Sequence, residues 1–183
     1  MESLQGHLLV ASPHLPDSNF FRSVVLMIHH DDEGAFGVIL NRPTSSTISD
    51  IWDMVSAKPC GSADPIYRGG PVDGPLLILH QVLGCSETEI LRGLHLATQR
   101  DYLCSIVTED KRPYRIFSGY AGWGGGQLES ELDAGGWLTT PATCDDVFDC
   151  AEELWKKVSQ RIGLIILAPS LRTRHLPDDP SVN

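Results

Sequence analysis

The chain has 183 residues, 42% of them hydrophobic, and its 24 acidic against 14 basic side chains give a net charge of -10. This length and composition suit one domain with a substantial core, whereas the negative charge disfavours direct nucleic-acid binding, which depends on basic side chains that neutralise phosphates. No apolar run approaches the roughly 20 residues of a membrane span, and residues 1–2 begin no signal peptide, so a cytoplasmic protein without a membrane partner is expected.

The predicted elements are, in chain order, three strands, a helix, three strands, a helix, a strand, two helices and a strand. The strand segments are residues 8–11, 23–30, 35–40, 65–68, 75–82, 90–97, 114–118 and 163–168. Several are apolar in succession, which indicates that both faces of the sheet are covered. This order predicts a mixed sheet with helices packed on it, in an α+β or α/β fold. Residues 1–170 form the single predicted domain and residues 171–183 a mobile tail.

Three helices share one predicted start signal, a threonine N-cap followed three residues later by an acid. The pairs are Thr47 with Asp50, Thr98 with Asp101, and Thr143 with Asp146. The first and third helices carry Trp52 and Trp155 on apolar stripes, which favours packing in the core over stacking against a ligand.

The segment between the second and third strands predicts a β-hairpin with a three-residue loop that ends at Gly34, where a positive φ is required. In that register Val24 faces Arg42, and Arg22 lies diagonally beside Arg42 on the same face. Two interpretations are open. Each arginine pairs with a local carboxylate, or the two together bind a carboxylate or phosphate, for which guanidinium groups are well suited.

A glycine-rich segment, GYAGWGGGQLE at residues 119–129, raises the question of phosphate binding. Gly125 and Gly126 stand where a P-loop needs Lys and Ser or Thr, and no G-x-G-x-x-G register fits, so the common nucleotide sites are excluded. Close packing of the backbone around Trp123 is favoured over an anion-binding nest, because acidic residues already occupy the start of the following helix. Gln127, an amide that can both donate and accept, is kept as a candidate contact.

A second glycine pair, Gly69-Gly70, lies in RGGPVDGP at residues 68–75. It predicts a tight connection between strands, stiffened by proline. The alternative is a ligand loop, in which Arg68 joins Arg22 and Arg42 around one anion-attracting mouth.

The sequence contains no complete catalytic or metal-binding set. There is no G-x-S-x-G elbow and no H-E-x-x-H, the five cysteines include no C-x-x-C pair, and His29 and His30 on one strand point to opposite faces. We therefore expect reduced thiols, no metal and no cofactor. His80, which follows an apolar run, is interpreted first as a buried structural histidine and alternatively as a proton-transfer group.

Five segments, in this order, resemble the YqgE/AlgH family of bacterial proteins. They are GHLLVASP (6–13), FRSVV (21–25), GAFGVILNRP (34–43), GGPV (69–72) and GYAGWGGGQLE (119–129). The resemblance covers nearly the whole chain and implies a single domain in which a mixed sheet curls into a barrel-like core flanked by helices. It implies no settled activity, because the family is labelled a transcriptional regulator without a recognised DNA-binding motif.

The leading hypothesis is a non-catalytic regulatory module that binds a protein or a small anionic ligand. The alternative is a small enzyme in which Arg22 and Arg42 hold an anion while His80 or Glu129 moves a proton. Direct DNA binding ranks third because of the net charge. The candidate ligand-binding residues are Arg22, Asn41, Arg42, Arg68, Gly69, Gly70, His80, Trp123 and Gln127.

Overall fold

The structure, a computed structural model, describes residues 3–13, 15, 17–57 and 59–172, without the side chains of residues 53 and 167–172. The strands are β1 (His7–Ala11), β2 (Val24–Asp31), β3 (Gly34–Ile39), β4 (Pro43–Thr47), β5 (Pro65–Arg68), β6 (Val72–His80), β7 (Thr88–Leu91), β8 (Leu94–Ala97), β9 (Tyr114–Gly124) and β10 (Trp137–Pro141). The helices are α1 (Ile48–Val55), α2 (Arg100–Thr108), α3 (Gln127–Asp133), α4 (Cys144–Phe148) and α5 (Ala151–Arg172), with a 3-10 turn at Ser18–Phe20. From residue 173 onward, the predicted tail lies outside the described residues.

All ten strands join one mixed sheet, in which the long strand β9 connects two halves. The order is β10-β1-β2-β3-β9-β6-β8-β7, while β4 pairs with β5 and β5 pairs in parallel with β9. The C-terminal part of β9, from Ala121 to Gly124, pairs with β3. Its N-terminal part, from Tyr114 to Ser118, pairs with β6. The sheet is therefore mixed, as the element order predicted.

The two ends of the sheet approach each other, so that it curls into a half-barrel. Gln5, just before β1, donates from Nε2 to the carbonyls of Glu89 and Ile90 in β7, at 3.3 and 3.4 Å. The Cys144 thiol at the start of α4 donates to the carbonyl of Arg92, between β7 and β8. The result is the curled α+β domain that the strand pattern and the family resemblance together implied.

Apolar side chains cover both faces of the curled sheet. Inside the curl, α4 and α5 pack against the strands through residues such as Val147 and Leu154. Outside, Leu128 of α3 covers one half, and Trp52 of α1 and Ile106 of α2 cover the other. The prediction that successive apolar residues mark strands buried on both faces is confirmed.

The β2–β3 hairpin differs from the predicted register. Asp31 pairs with Gly34, so the loop has two residues rather than three, and a bulge in β2 shifts the register again. The Asp31 carboxylate stabilises this tight loop by accepting hydrogen bonds from two of its backbone N–H groups. Gly34 has the expected positive φ, 153°, but as a paired strand residue. The predicted pairing of Val24 with Arg42 is wrong, because Arg42 lies beyond the end of β3.

Two of the three predicted helix starts are confirmed. Capping boxes begin α1 and α4, formed by Thr47 with Asp50 and by Thr143 with Asp146. The predicted cap at Thr98 is wrong. Its backbone N–H and its hydroxyl both donate to the Glu87 carboxylate, which leaves α2 without a side-chain cap.

The strand predicted at residues 163–168 is wrong, because these residues continue α5. The preceding turns decide the conformation: Leu154, Val158 and Ile162 pack in the core at helical spacing. The apolar run that suggested a strand is more than half exposed at each residue from 164 to 166. Although α5 has 22 residues, no helix in the described part of the chain is long and apolar enough to cross a membrane.

The sequence prediction also missed three strand features. Residues 90–97 are a hairpin of β7 and β8 rather than one strand, and β4 and β10 were left unassigned. β4 consists of Pro, Ser and Thr, and β10 ends in Thr-Thr-Pro, so neither strand has a long apolar run. Their pairing partners, β5 and β1, stabilise them as strands.

Candidate functional site

A tight turn before β2 holds Arg22 in an uncommon backbone conformation. Its φ is 52°, in the left-handed region that non-glycine residues rarely adopt. Phe20 anchors the turn: it is 8% exposed and stacks on Trp123 with ring centroids 6.0 Å apart. The next ring, Phe21, is 65% exposed. The turn therefore presents Phe21 and Arg22 at the surface while Phe20 fixes it to the core.

The segment Asn41-Arg42, after β3, stabilises this turn. The Asn41 side chain donates to the Arg22 carbonyl and accepts from the Val24 backbone N–H, both at 2.9 Å. The Arg42 guanidinium donates to the Phe21 carbonyl. A left-handed residue costs on the order of 1–3 kcal/mol, and these hydrogen bonds offset that cost. Asn41 and Arg42, two of the predicted site residues, thus hold Arg22, a third one, in place.

Two cavities share Arg42 in their walls. The larger, about 540 Å³, is lined by Phe21, Arg22, Asn41, Arg42, Ala151, Glu152, Trp155 and Lys156. The smaller, about 310 Å³, is lined by Ser18, Asn19, Ile39, Arg42, Pro43, Thr44, Arg68, Gly70 and Pro71. The Arg68 backbone N–H donates to the Arg42 carbonyl at 2.8 Å. We call Arg22, Asn41, Arg42 and Arg68 the arginine site.

The Arg22 guanidinium lies between two aromatic rings. Its central carbon is 5.2 Å from the Phe21 ring centroid and 5.4 Å from that of Trp155. Contact through the guanidinium faces leaves its N–H edge able to bind an anion. Trp155, predicted as a core residue, is only half-buried, and its indole N–H donates to the Ala11 carbonyl. The sequence analysis missed Phe21 and Trp155 as wall residues of this cavity.

The three arginines of the site have no carboxylate partner among the described residues. Arginine ion pairs in this part of the chain involve Arg112 and Arg161 instead. The interpretation in which Arg22 and Arg42 each pair with a local carboxylate is therefore not supported by the geometry. In a chain with a net charge of -10, the arginine site is a local region of positive potential.

Gly69 and Gly70 pack the end of β5 directly against β9. A Cβ on Gly69 would lie 2.2 Å from the Gly119 carbonyl oxygen, and one on Gly70 would lie 2.1 Å from the Tyr120 carbonyl carbon. The two glycine motifs of the sequence therefore meet in one junction, which requires residues without a side chain. This junction places Arg68 beside Arg42 and forms part of the smaller cavity.

Trp123 and Gln127 line neither cavity and belong to a network around Glu131. One oxygen of Glu131 accepts from the indole N–H groups of Trp123 and Trp137, at 3.0 and 2.7 Å. The other accepts from the Gln127 amide at 3.0 Å, and the Gln127 carbonyl accepts from the Gly124 N–H at 3.2 Å. The network holds α3 against β9 and β10. The sequence analysis missed this role of Glu131, although its spacing of four residues from Gln127 was a usable signal.

His80 also lies apart from the arginine site, fully buried on β6 opposite His95 on β8. Its Nδ1 accepts from the Val82 N–H at 3.1 Å, so the ring proton is on Nε2. Among the described residues, that Nε2 makes no well-oriented hydrogen bond, although the Cys85 backbone lies near the ring. Burial, and then the neighbouring His95, lower the pKa of His80 to about 4, against a smaller opposite effect of the Cys85 backbone.

We expect the fold to lose stability as the pH falls from about 6.5 to 4, because His80 must stay neutral when buried. Its pKa rises from about 4 in the folded chain to its ordinary value of 6.5 when the chain unfolds. In this window the unfolded chain binds a proton that the folded chain does not, so acid favours unfolding. At pH 4 the protonation of His80 in the unfolded chain should lower the free energy of unfolding by about 3 kcal/mol relative to pH 7. Urea unfolding curves at pH steps between 7 and 4 measure it.

The matched variant is His80→Gln, whose amide can still accept from the Val82 N–H. Carboxylates that titrate in the same window are common to both proteins, so their contribution cancels in the comparison. Between pH 7 and 4, the free energy of unfolding of the variant should fall by about 3 kcal/mol less than that of the wild type. Parallel stability curves would contradict the assignment of His80 as a buried neutral group.

Glu129, the other candidate for proton transfer, is also engaged elsewhere. It accepts from His30 Nε2 at 2.7 Å, and His30 Nδ1 accepts from the Leu4 N–H at 3.0 Å. A hydrogen bond from its own backbone, and then the one from His30, lower the pKa of Glu129. His30 is buried and His29 exposed, as the strand alternation predicted. The pair ties the residues before β1 to β2 and α3.

Arg115 on β9 supports the arginine site, and the sequence gave no sign of this role. Its guanidinium carbon lies 4.2 Å from the Tyr67 ring centroid. It donates to the carbonyls of Leu40 and Asp149, at 3.3 and 2.9 Å, and burial lowers its pKa. Because Leu40 precedes Asn41, Arg115 links the arginine site to the break between α4 and α5.

The five cysteines are free thiols. Over the described part of the chain, no three His, Cys, Asp or Glu side chains form a group that could hold a metal ion.

The fold and the site define a single-domain α+β protein with a curled mixed sheet and a cluster of arginines, near the start of β2 and the end of β3, that form no ion pair with any described residue. The chain belongs to the AlgH-like family, because the family model DUF179, described as AlgH-like, matches residues 8–166. The resemblance drawn from the five sequence segments is thereby confirmed.

Relatives and solved structures support this assignment over the whole chain. A UPF0301 protein of Streptomyces avermitilis is 38% identical, with 100% of this chain and 97% of the relative covered. A UPF0301 protein of a Shewanella species is 37% identical, with 96% and 100% covered. The solution structure of AlgH from Pseudomonas aeruginosa is similar, with a TM-score of 0.77, 31% identity, and 94% and 96% of the two chains covered. A crystal structure of a Corynebacterium diphtheriae protein has a TM-score of 0.69 at 27% identity, with 88% and 87% covered.

Proposed function

We propose that the protein is a cytoplasmic, non-catalytic regulatory module that uses its arginine site to bind an anionic group of a small ligand or of a partner protein. The observation that carries the proposal is the set of three guanidinium groups, none paired with a carboxylate of the described residues, around two cavities that share Arg42. Guanidinium groups bind carboxylates and phosphates with paired hydrogen bonds, and the smaller cavity adds hydroxyl and amide groups that can complete such contacts.

The built geometry of the turn supports a binding role. A strained residue such as Arg22 persists only when its surroundings hold it, and such residues concentrate at functional sites. Asn41 and Arg42 supply that support. The site is therefore organised before a ligand binds, which reduces the entropy cost of binding.

The positions of the titratable groups favour binding over turnover. A general acid or base must lie within reach of the substrate. His80 is fully buried on β6, Glu129 is bonded to His30, and neither lines the two cavities. The two side chains named for proton transfer in the enzymatic alternative thus lie away from the anion site.

A regulatory role through binding also fits the family label of transcriptional regulator better than direct contact with DNA does. Affinity for DNA depends on the number of phosphates that basic side chains neutralise, and the chain has 14 basic against 24 acidic residues. A protein that senses an anion and acts through another protein needs only the local charge of the arginine site.

Inorganic phosphate should bind at the arginine site, and Arg68→Ala should weaken this binding about tenfold, because one charge-assisted hydrogen bond is lost. The measurement is a titration followed by amide chemical shifts, in which the signals of Thr44 and Gly70 should move. Arg68 is exposed and its side chain has no partner among the described residues, so the variant should unfold in urea within about 0.5 kcal/mol of the wild type.

Arg92→Ala is the matched control, because it removes the same charge from the exposed turn between β7 and β8. It should bind phosphate as the wild type does. An equal loss of affinity in both variants would indicate a general charge effect and count against a specific site. Absence of any phosphate-induced shift in the wild type would remove the main support for the proposal.

A further inference from the structure

The larger cavity combines an excess of positive charge with aromatic surface. Three basic side chains, Arg22, Arg42 and Lys156, line it against a single carboxylate, Glu152. No ion pair within the described residues involves any of the four. The charge in the cavity is therefore available to a ligand.

Phe21 provides aromatic surface that the fold itself does not use. It is 65% exposed, whereas Phe20 beside it is 8% exposed and packed against Trp123. An exposed aromatic ring at the mouth of a cavity suits a stacking contact with a ligand, since its faces are apolar and its position is fixed by the hydrogen-bonded turn. The Arg22 guanidinium lies over one face of this ring, 5.2 Å from its centroid, and the rest of the ring is open.

The smaller cavity differs from the larger one in chemistry. Arg42 and Arg68 line it together with Ser18, Asn19 and Thr44, and the described residues of its wall include no carboxylate and no aromatic ring. It suits a compact anionic group, whereas the larger cavity also offers aromatic surface to a planar group. The two cavities are adjacent because Arg42 lines both, and their volumes of about 540 and 310 Å³ are in the range of small-molecule sites.

We propose that the ligand is a planar aromatic group that carries a carboxylate or a phosphate. Its ring stacks on the open surface of Phe21, near Trp155, and its anionic group accepts hydrogen bonds from Arg42 and Arg68. This inference rests on the proposed function, which requires only an anion, and adds the aromatic part of the ligand.

Four probes test the inference on the full chain: phenyl phosphate, benzoate, inorganic phosphate and acetate. Calorimetry or chemical-shift titration gives the four affinities. Each aryl compound should bind about tenfold more tightly than the matching simple anion, because stacking of its ring on Phe21 adds to the charge interaction. The stronger of phenyl phosphate and benzoate identifies the anionic group. The Trp155 indole signal should shift with the aryl compounds and not with the simple anions.

Two variants separate stacking from other effects. Phe21→Ala should weaken phenyl phosphate binding about fivefold and leave inorganic phosphate binding unchanged. Phe21→Leu keeps an apolar side chain without an aromatic face and should behave in the same way. Leu83→Ala, at a residue that is 84% exposed and lines neither cavity, is the control and should change nothing.

The outcomes distinguish this inference from the proposed function. Equal affinities for aryl compounds and simple anions would overturn the aromatic part and leave the anion site intact. Failure of all four probes to bind would overturn both. If Phe21→Ala weakened aryl and simple anions alike, the role of Phe21 would be structural, and the inference would be wrong.

Discussion

Gly70→Ala should destabilise the protein by about 3 kcal/mol. The new Cβ would lie 2.1 to 2.3 Å from three backbone atoms of Tyr120 and Ala121. A side chain could move aside by changing rotamer, but backbone atoms in a paired strand cannot. The clash is therefore relieved only if the end of β5 moves away from β9. Urea unfolding of the variant and the wild type measures the loss, and phosphate affinity should fall as well, because Gly70 lines the smaller cavity.

Gly163→Ala is the matched control for the same chemical change. Gly163 lies in α5, and a Cβ there would meet nothing within 4 Å. Alanine is favoured over glycine inside a helix, so this variant should be unchanged or more stable by up to about 1 kcal/mol. A Gly70→Ala protein as stable as the wild type would show that the two glycine motifs do not form the close crossing described.

Local patterns were sufficient to predict much of the fold. Runs of apolar residues located most strands because a strand covered on both faces needs them along its whole length. Thr47 and Thr143 located two helix starts because a capping box is made within four residues. The segments that resemble the family supplied the curl of the sheet, which no local pattern contains.

Features that depend on distant partners were not predictable in this way. Thr98 has the same local signal as Thr47, yet Glu87 takes its hydrogen-bonding groups. The run from residue 163 to 168 has the composition of a strand, and the core contacts of the earlier turns of α5 keep it helical. Arg115 resembles any exposed arginine in the sequence, and only its contact with Leu40 and Asp149 gives it a structural role.

Four of the candidate residues lie together in the structure, but the register argument behind two of them was wrong. Arg22 and Arg42 were expected to meet through a strand register, whereas Arg68 was included because of the glycine pair that follows it. The structure brings them around two cavities through a left-handed turn and its hydrogen bonds to Asn41 and Arg42. A register prediction depends on the length of one loop, whereas the turn depends on side-chain contacts that the sequence does not reveal.

Glu131→Ala should destabilise the protein by about 2–4 kcal/mol, because two buried indole N–H groups lose their acceptor. Trp123 and Trp137 are 6% and 3% exposed, so water cannot readily replace the carboxylate. The Gln127 amide loses its partner as well. Urea unfolding measures the stability change. The indole N–H signals of Trp123 and Trp137 should shift in an NMR spectrum, while that of Trp52 should stay.

Glu131→Gln separates the acceptor from the charge. Its amide oxygen can still accept from both indoles, but its NH2 group would face the NH2 group of Gln127, which cannot turn without losing the bond from the Gly124 N–H. We expect an intermediate loss of about 1 kcal/mol. Asp133→Ala, an exposed acid on the same helix, is the control and should change stability by less than about 0.5 kcal/mol.

The order of these three variants decides what the glycine-rich segment does. If Glu131 joins α3 to the sheet, Glu131→Ala should lose the most stability, Glu131→Gln less and Asp133→Ala almost none, and phosphate affinity at the arginine site should stay unchanged. If the segment were instead a ligand site, the substitutions at Glu131 would change binding more than folding. Equal stability of Glu131→Ala and Asp133→Ala would contradict the structural role, because only Glu131 bonds buried tryptophans.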